Sequence, residues 1–205
     1  MRSEMTVDRV PFHVVFVCTG NRARSPLAEG FLRAKVGGEA VRVESYGTLE
    51  LGPEPAMPDA IAAASALGID LRGHRARSLH GIRLDDADLV VGFELFHVAV
   101  AVVEAGASRE RAFMLRELAM LLEDIGPAAS HGTSGARAAV ALADAGRPRE
   151  HQSSVSLADP YGKSRRIYDE VAGTIDSLTS TLAARLFGRS AYERQSGHMP
   201  GSGVV

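Results

Sequence analysis

A chain of 205 residues, 45% hydrophobic and 23% charged, has the composition of one globular domain and is long enough to bury a sizeable core. Its formal net charge of −2 gives no basis for bulk binding to nucleic acid or to an anionic membrane. The single cysteine, Cys18, excludes an internal disulfide framework and suits a reducing compartment.

Residues 1–9 are polar, carry both charge signs and read as a loose tail. The apolar run behind them is interrupted by Pro11 and His13 and makes a poor secretory signal. No apolar run is long enough to span a bilayer, so the expectation is a cytoplasmic protein. Residues 12–17, short, continuous and rich in valine, read as a buried strand. A helix follows from Ser25 or Pro26, because proline lacks only an N–H that has no partner in a first turn. Leu27, Ala28, Phe31 and Leu32 give it an apolar face, and it ends near Gly37-Gly38.

Residues 41–46 form a second strand, and a proline-rich loop runs from Gly47 to Pro58. An alanine-rich helix over 59–67 stops at Gly68. Residues 88–92 and 111–115 are two further buried strands, each followed by a helix, over 94–104 and 116–122. Residues 123–156 are rich in Gly, Ala and Pro, with a helical pattern only over 136–145, and read as an insertion. Asp159-Pro160-Tyr161 lies in a turn-forming loop. Ile167, Val171, Ile175, Leu178, Leu182 and Leu186 then mark the core-facing stripe of a last helix, ended by Gly188. The domain is expected over 10–188, with flexible tails at 1–9 and 189–205.

The alternation predicts an α/β fold: a single domain with a four-stranded parallel sheet and helices on both faces, of Rossmann-like kind. Ligands bind such sheets at the carboxyl ends of the strands, and Cys18 ends the first one. After it comes Thr19-Gly20-Asn21-Arg22-Ala23-Arg24-Ser25-Pro26, a tight polar loop that runs into a helix start. Unpaired N–H groups and the positive end of the helix make that loop an anion site. Helix N-termini and nearby cations stabilise a thiolate. Arg24 offers a planar fork for two phosphate oxygens. The backbone N–H groups of residues 19–24 add donors, in a loop that Gly20 lets fold tightly. Ser25 can hydrogen-bond the sulfur, and Asn21 can tie the loop or adopt a left-handed conformation. Strand, cysteine, five residues and Arg-Ser together point to phosphate ester hydrolysis with Cys18 as nucleophile. A buried structural cysteine beside surface arginines is the competing interpretation.

Cys18-Thr19-Gly20-Asn21-Arg22-Ala23-Arg24-Ser25-Pro26 resembles the phosphate loop of the low-molecular-weight protein tyrosine phosphatases, a superfamily shared with thioredoxin-coupled arsenate reductases. Ser45-Tyr46-Gly47-Thr48, Gly68-Ile69-Asp70, His74-Arg75-Ala76-Arg77 and Asp88-Leu89-Val90-Val91 resemble further family segments in the same order. Asp159-Pro160-Tyr161 is similar to the family's acid loop. The resemblance implies Cys18, Arg24 and Asp159 as catalytic residues and Thr19, Gly20, Asn21, Arg22, Ala23 and Ser25 as the phosphate-binding loop. It implies Leu51 and Tyr161 as pocket walls, a phosphorylated protein as substrate, and a phosphocysteine intermediate with no metal or cofactor.

Three departures bear on substrate and regulation. Ala23 stands where many members carry a second cysteine, which removes a protective disulfide with Cys18. Arg22 replaces the apolar residue of tyrosine-specific members and the threonine of arginine-specific ones; it can attract a second anionic group or point to solvent. Leu49-Glu50-Leu51-Gly52-Pro53 lacks the aromatic that members place opposite the Tyr161 position. The insertion at 123–156 precedes the acid loop, so it is either a cap over the pocket or an excursion into solvent. His74 is expected to bond backbone, whereas His80, His97, His131 and His151 read as surface or helix residues. The alternatives to a tyrosine phosphatase are a protein-arginine phosphatase, an arsenate reductase-like protein and a non-catalytic phosphoprotein-binding module. A disulfide relay needs two more cysteines than the chain has.

Overall fold

The computed structural model describes residues 10–37, 39–126, 132–148 and 155–188. The expected tails at 1–9 and 189–205 lie outside these residues, as do His131 and His151. The elements run β1 (Phe12–Cys18), α1 (Arg24–Lys35), β2 (Val41–Gly47), α2 (Pro58–Ala66), β3 (Leu89–Gly92), α3 (Leu95–Val103), β4 (Ala112–Met114), α4 (Leu115–Ile125), α5 (Gly132–Ala145) and α6 (Arg165–Phe187). The four strands are parallel in the order β2-β1-β3-β4, as the alternation predicts.

β1 is central and buried on both faces from Val14 onward, which is why its sequence there is continuously apolar rather than alternating. Phe12, Val14, Phe16 and Cys18 face a core built with α1, α2, α4, α5 and α6. Val15 and Val17 face a smaller core that includes Val98 and Ala101 of α3. α6 is the spine of the larger layer, packing on α1, α2, α4 and α5. Its Ile175, Leu182 and Leu186 are fully buried, as the stripe of four- and three-residue steps requires. Among the described residues no helix is long and apolar enough to cross a membrane.

Of the expected insertion at 123–156, residues 127–131 and 149–154 lie outside the described residues, and α5 within it packs on the core. α4 continues to Ile125, and α5 is longer than the pattern at 136–145 suggests. Ala136, Ala139, Val140 and Ala143 of α5 are buried against α4 and α6. Arg137 pairs with Asp88 through Nε at 2.8 Å, and Asp88 in turn accepts the His13 N–H at 2.9 Å. Both residues lie at the amino-terminal side of the sheet, away from Cys18. Arg147, just past α5, stacks 4.0 Å from the centre of the Phe113 ring and reaches Glu117 at 3.5 Å. Small residues hide this helix in a sequence reading, because alanine allows close packing while contributing little to an apolar stripe.

The packing of α5 has a measurable consequence. Ala143→Leu, at a fully buried position, should destabilise the fold by about 1–3 kcal/mol through overpacking, whereas Leu142→Ala, at a position 55% exposed, should change it by less than about 0.5 kcal/mol. Urea unfolding of the two variants checks this; equal effects would mean that α5 does not pack on the core.

Candidate active site

β1 delivers Cys18 to the carboxyl edge of the sheet, where its neighbour in β2 is Gly47. A side chain at Gly47 would place its first carbon 2.9 Å from the backbone of Thr19, Gly20 and Asn21, so the loop folds directly over this residue. The turn is made by Asn21, which has φ of 51° and is fully buried. Among residues with a side chain, asparagine is one of the few that adopt this left-handed conformation readily.

The Asn21 side chain then holds the surroundings. Its Nδ2 donates to Ser25 Oγ at 2.8 Å and to Ser45 Oγ at 2.7 Å, and its Oδ1 accepts the Arg77 N–H at 2.8 Å. Its carbonyl oxygen, which can only accept, is 2.7 Å from His74 Nε2, so that nitrogen carries the hydrogen. The backbone bond expected of His74 is therefore present, and burial pushes its pKa below the ordinary histidine value. Ser45 donates in turn to Glu29, which also pairs with Arg77 at 3.0 Å.

Two donors converge on the sulfur: the Asn21 N–H at 3.3 Å and the Ser25 hydroxyl at 3.0 Å. A thiolate can only accept, which fixes Ser25 as donor in that state. Arg24, 1% exposed, starts α1 beside the sulfur. Its Nη1 donates to the Leu157 carbonyl at 2.9 Å and to Glu94, and its Nη2 donates to Asp159 at 2.5 Å and to Thr19 Oγ1 at 3.2 Å. The second Asp159 oxygen accepts the Tyr161 N–H at 3.1 Å, which shapes the acid loop as a tight turn.

His97 is helical, as expected, but it is buried rather than on the surface. Its Nδ1 accepts the Glu94 N–H at 3.1 Å. The hydrogen of the neutral ring therefore lies on Nε2, which donates to Thr19 Oγ1 at 3.0 Å. Burial, and then the positive charge of Arg24, push the pKa of His97 down to about 4. The ring stays neutral and ties α3 to the loop.

A cleft of about 350 Å³ opens over the sulfur. Cys18, Thr19, Gly20, Arg22, Ala23 and Arg24 form its floor, and Leu49, Leu51, Met57, Tyr161 and Tyr168 its walls, with Asp159 at the edge. Asn21 and Ser25 lie beneath the floor, so their side chains support the loop instead of lining the cleft. Arg22 lines the cleft with its side chain anchored beside it: its Nε donates to the Pro55 carbonyl at 2.8 Å and its Nη2 lies 3.9 Å from Glu54. Burial, followed by the nearby Asp159, raises the pKa of Tyr168 and keeps its phenol neutral.

Glu94, His97, Met57 and Tyr168 are site residues that sequence reasoning passes over. Glu94 and His97 do leave a signal: a residue at a helix start whose backbone is capped from three positions on, directly after a buried strand. Tyr168 leaves none, being one more apolar position on α6.

The profile of the family "Low molecular weight phosphotyrosine protein phosphatase" matches residues 13–125. The chain belongs to this family. Its members are hydrolases, and a phosphocysteine mechanism is general among them. The low molecular weight protein-tyrosine phosphatase A of Mycobacterium tuberculosis is 33% identical over 178 residues, covering 84% of this chain and 90% of that protein. The low molecular weight protein tyrosine phosphatase from T. tengcongensis superposes with a TM-score of 0.63 at 27% identity, covering 85% of this chain and 99% of that one. The YwlE arginine phosphatase, in a cysteine-to-serine variant with a phosphorylated active-site serine, gives a TM-score of 0.63 at 26% identity over 85% of this chain and 95% of that one.

Two expectations follow from this geometry. Gly47→Ala should lower phosphatase turnover on an aryl phosphate by about 10²-fold while leaving the circular dichroism spectrum intact, since its added carbon must displace the loop by a fraction of an ångström or more. Unaltered turnover would mean the loop tolerates the shift. The second concerns pH. His97 titrates near 6.5 when unfolded and at about 4 when folded, so between these values the unfolded chain binds a proton that the folded chain refuses. Stability from this site is complete above about pH 6.5 and falls as pH drops toward 4, by about 3 kcal/mol in all. His97→Gln should flatten that slope in urea unfolding at pH 7 and pH 4.5; parallel slopes would contradict it.

Proposed function

We propose that the protein is a protein-tyrosine phosphatase in which Cys18, Arg24 and Asp159 carry the chemistry. The observation behind this reading is the convergence of a doubly hydrogen-bonded sulfur, a buried guanidinium and a carboxylate on one apolar-walled cleft. The phosphate dianion binds the loop N–H groups and the Arg24 fork. The Cys18 thiolate attacks phosphorus in line, so a P–S bond forms as the P–O bond to the leaving group breaks. Asp159, protonated at that moment, gives its proton to the leaving oxygen. A proton on Asp159 also weakens its pairing with Arg24 and frees the guanidinium for a phosphate oxygen.

In the second step the Asp159 carboxylate takes a proton from water as that water attacks phosphorus. The P–S bond breaks, inorganic phosphate leaves, and the Ser25 hydroxyl stabilises the departing thiolate. His97 and Thr19 hold Arg24 in place, and Asn21 holds the loop.

Tyrosine is favoured over arginine by the walls. Leu49, Leu51, Met57, Tyr161 and Tyr168 suit an aromatic ring, which needs burial and no hydrogen-bond partner. A phosphoarginine guanidinium would need carboxylates or carbonyls along the wall. The relatives named above include enzymes of both kinds. A lone thiol that must stay reduced also fits the cytoplasm.

The test is hydrolysis of an aryl phosphate and of matched phosphotyrosine and phosphoarginine peptides. Cys18→Ser should abolish turnover, and Asp159→Ala should lower it by roughly 10²–10⁴-fold. Full activity in Cys18→Ser would overturn the mechanism. A preference for phosphoarginine would overturn the substrate.

A further inference from the structure

The cleft has an apolar rim as well as apolar walls. The described residues include ten exposed large apolar side chains, and five of them, Leu49, Leu51, Leu95, Phe96 and Tyr161, belong to segments that meet at the phosphate loop. Leu49 donates its N–H to the Thr19 carbonyl at 2.9 Å and lies on the cleft wall with Leu51. Tyr161, 70% exposed, is on the acid loop. Leu95 and Phe96 open α3, immediately before His97, whose ring touches Thr19.

Successive residues of a helix point about 100° apart, so burying His97 against the loop turns the two preceding side chains outward. Leu95 is 47% exposed and Phe96 is 61% exposed. First-turn solvent positions commonly carry polar or acidic residues, which favour the helix dipole. These two large apolar residues open the helix that His97 bonds to Thr19, the same residue to which Leu49 donates, and exposed apolar side chains at a site mouth mark an interaction surface.

We propose that Leu95 and Phe96, with Leu49, Leu51 and Tyr161, seat large apolar side chains that flank the phosphorylated residue of a protein substrate. The inference rests on the phosphatase reading and adds selectivity to it. The occupant follows from continuity with the cleft. A phosphorylated side chain reaching Cys18 lays its own backbone across the mouth. At about 3.3 Å per residue, the two or three residues on each side of it then cover about 7–10 Å of rim. Burying one more leucine-sized side chain on a half-exposed apolar surface is worth about a tenfold gain in kcat/KM.

The experiment compares two phosphotyrosine peptides that differ only in carrying leucine or serine at the two positions on each side, with an aryl phosphate as control. Wild type should favour the leucine peptide about tenfold in kcat/KM. The double variant Leu95→Ser, Phe96→Ser should reduce that preference to about twofold or less and leave aryl phosphate turnover within about twofold of wild type. Equal rates on the two peptides in wild type would overturn the proposal, as would an undiminished preference in the variant. A parallel fall in aryl phosphate turnover would overturn it too, since these residues would then act through the loop. Sedimentation showing a dimer that Phe96→Ser dissociates would assign the patch to a second copy of the chain. Failure of wild type on the aryl phosphate and both peptides would sink the phosphatase reading, and the rim with it.

Discussion

The site depends on one buried residue in an unusual backbone conformation. Asn21 at φ of 51° turns the loop tightly enough to aim its own N–H at the Cys18 sulfur. Such a conformation costs of order 1–3 kcal/mol and persists only where surroundings over-determine it. Here they do. The side-chain amide gives both its hydrogens to Ser25 and Ser45 and its oxygen to the Arg77 N–H, and the backbone carbonyl takes a bond from His74. Each bond contributes about 0.5–1.5 kcal/mol net, so together they offset the strain. Their partners come from α1, β2 and the connection after α2. The loop is therefore assembled only when the fold is complete.

A second constraint is charge. Arg24 is almost wholly buried, and an unpaired buried cation is costly. It is compensated by Asp159 and Glu94, whose side chains keep 38% and 41% exposure, and by the neutral acceptor oxygens of Thr19 and Leu157. The half-exposed carboxylates are free to give way to another anion, while Thr19, held by the neutral His97, is not. A protonated His97 would place a second cation beside Arg24. The same burial that depresses its basicity thus protects the anion site from self-repulsion over the ordinary pH range.

The catalytic half of the site was legible in sequence because it is local. Cys18, Arg24 and Ser25 fall in one strand-loop-helix segment, where spacing alone fixes relative position. Asp159 was legible through resemblance and through the turn chemistry of Asp-Pro-Tyr. Residues that act across the fold were not. His97 reaches Thr19 over 78 positions of chain, and the cap it makes on Glu94 marks a helix start without showing which loop its Nε2 meets. The anchor of Arg22 on the Pro55 carbonyl likewise depends on a segment 33 positions away, whose path the loop sequence does not reveal. α5 is legible only as the helical pattern at 136–145, and its length and packing are not, because its buried face is largely alanine, threonine and glycine.

The two halves of the site also meet a substrate differently. The floor is held by polar bonds of fixed geometry, so substitutions there change turnover on every substrate. The wall side chains offer apolar contacts to what enters the cleft, while their backbones are bonded in place: Leu49 and Met57 donate N–H groups to the Thr19 and Arg22 carbonyls, and Tyr161 to Asp159. Apolar contacts lack directional demands, so such walls change character without disturbing the floor. Floor and wall meet at several fixed points: Arg22 Nε on the Pro55 carbonyl, the Met57 N–H on the Arg22 carbonyl and the Leu49 N–H on the Thr19 carbonyl. These bonds set where the wall stands and leave the character of its side chains open to change.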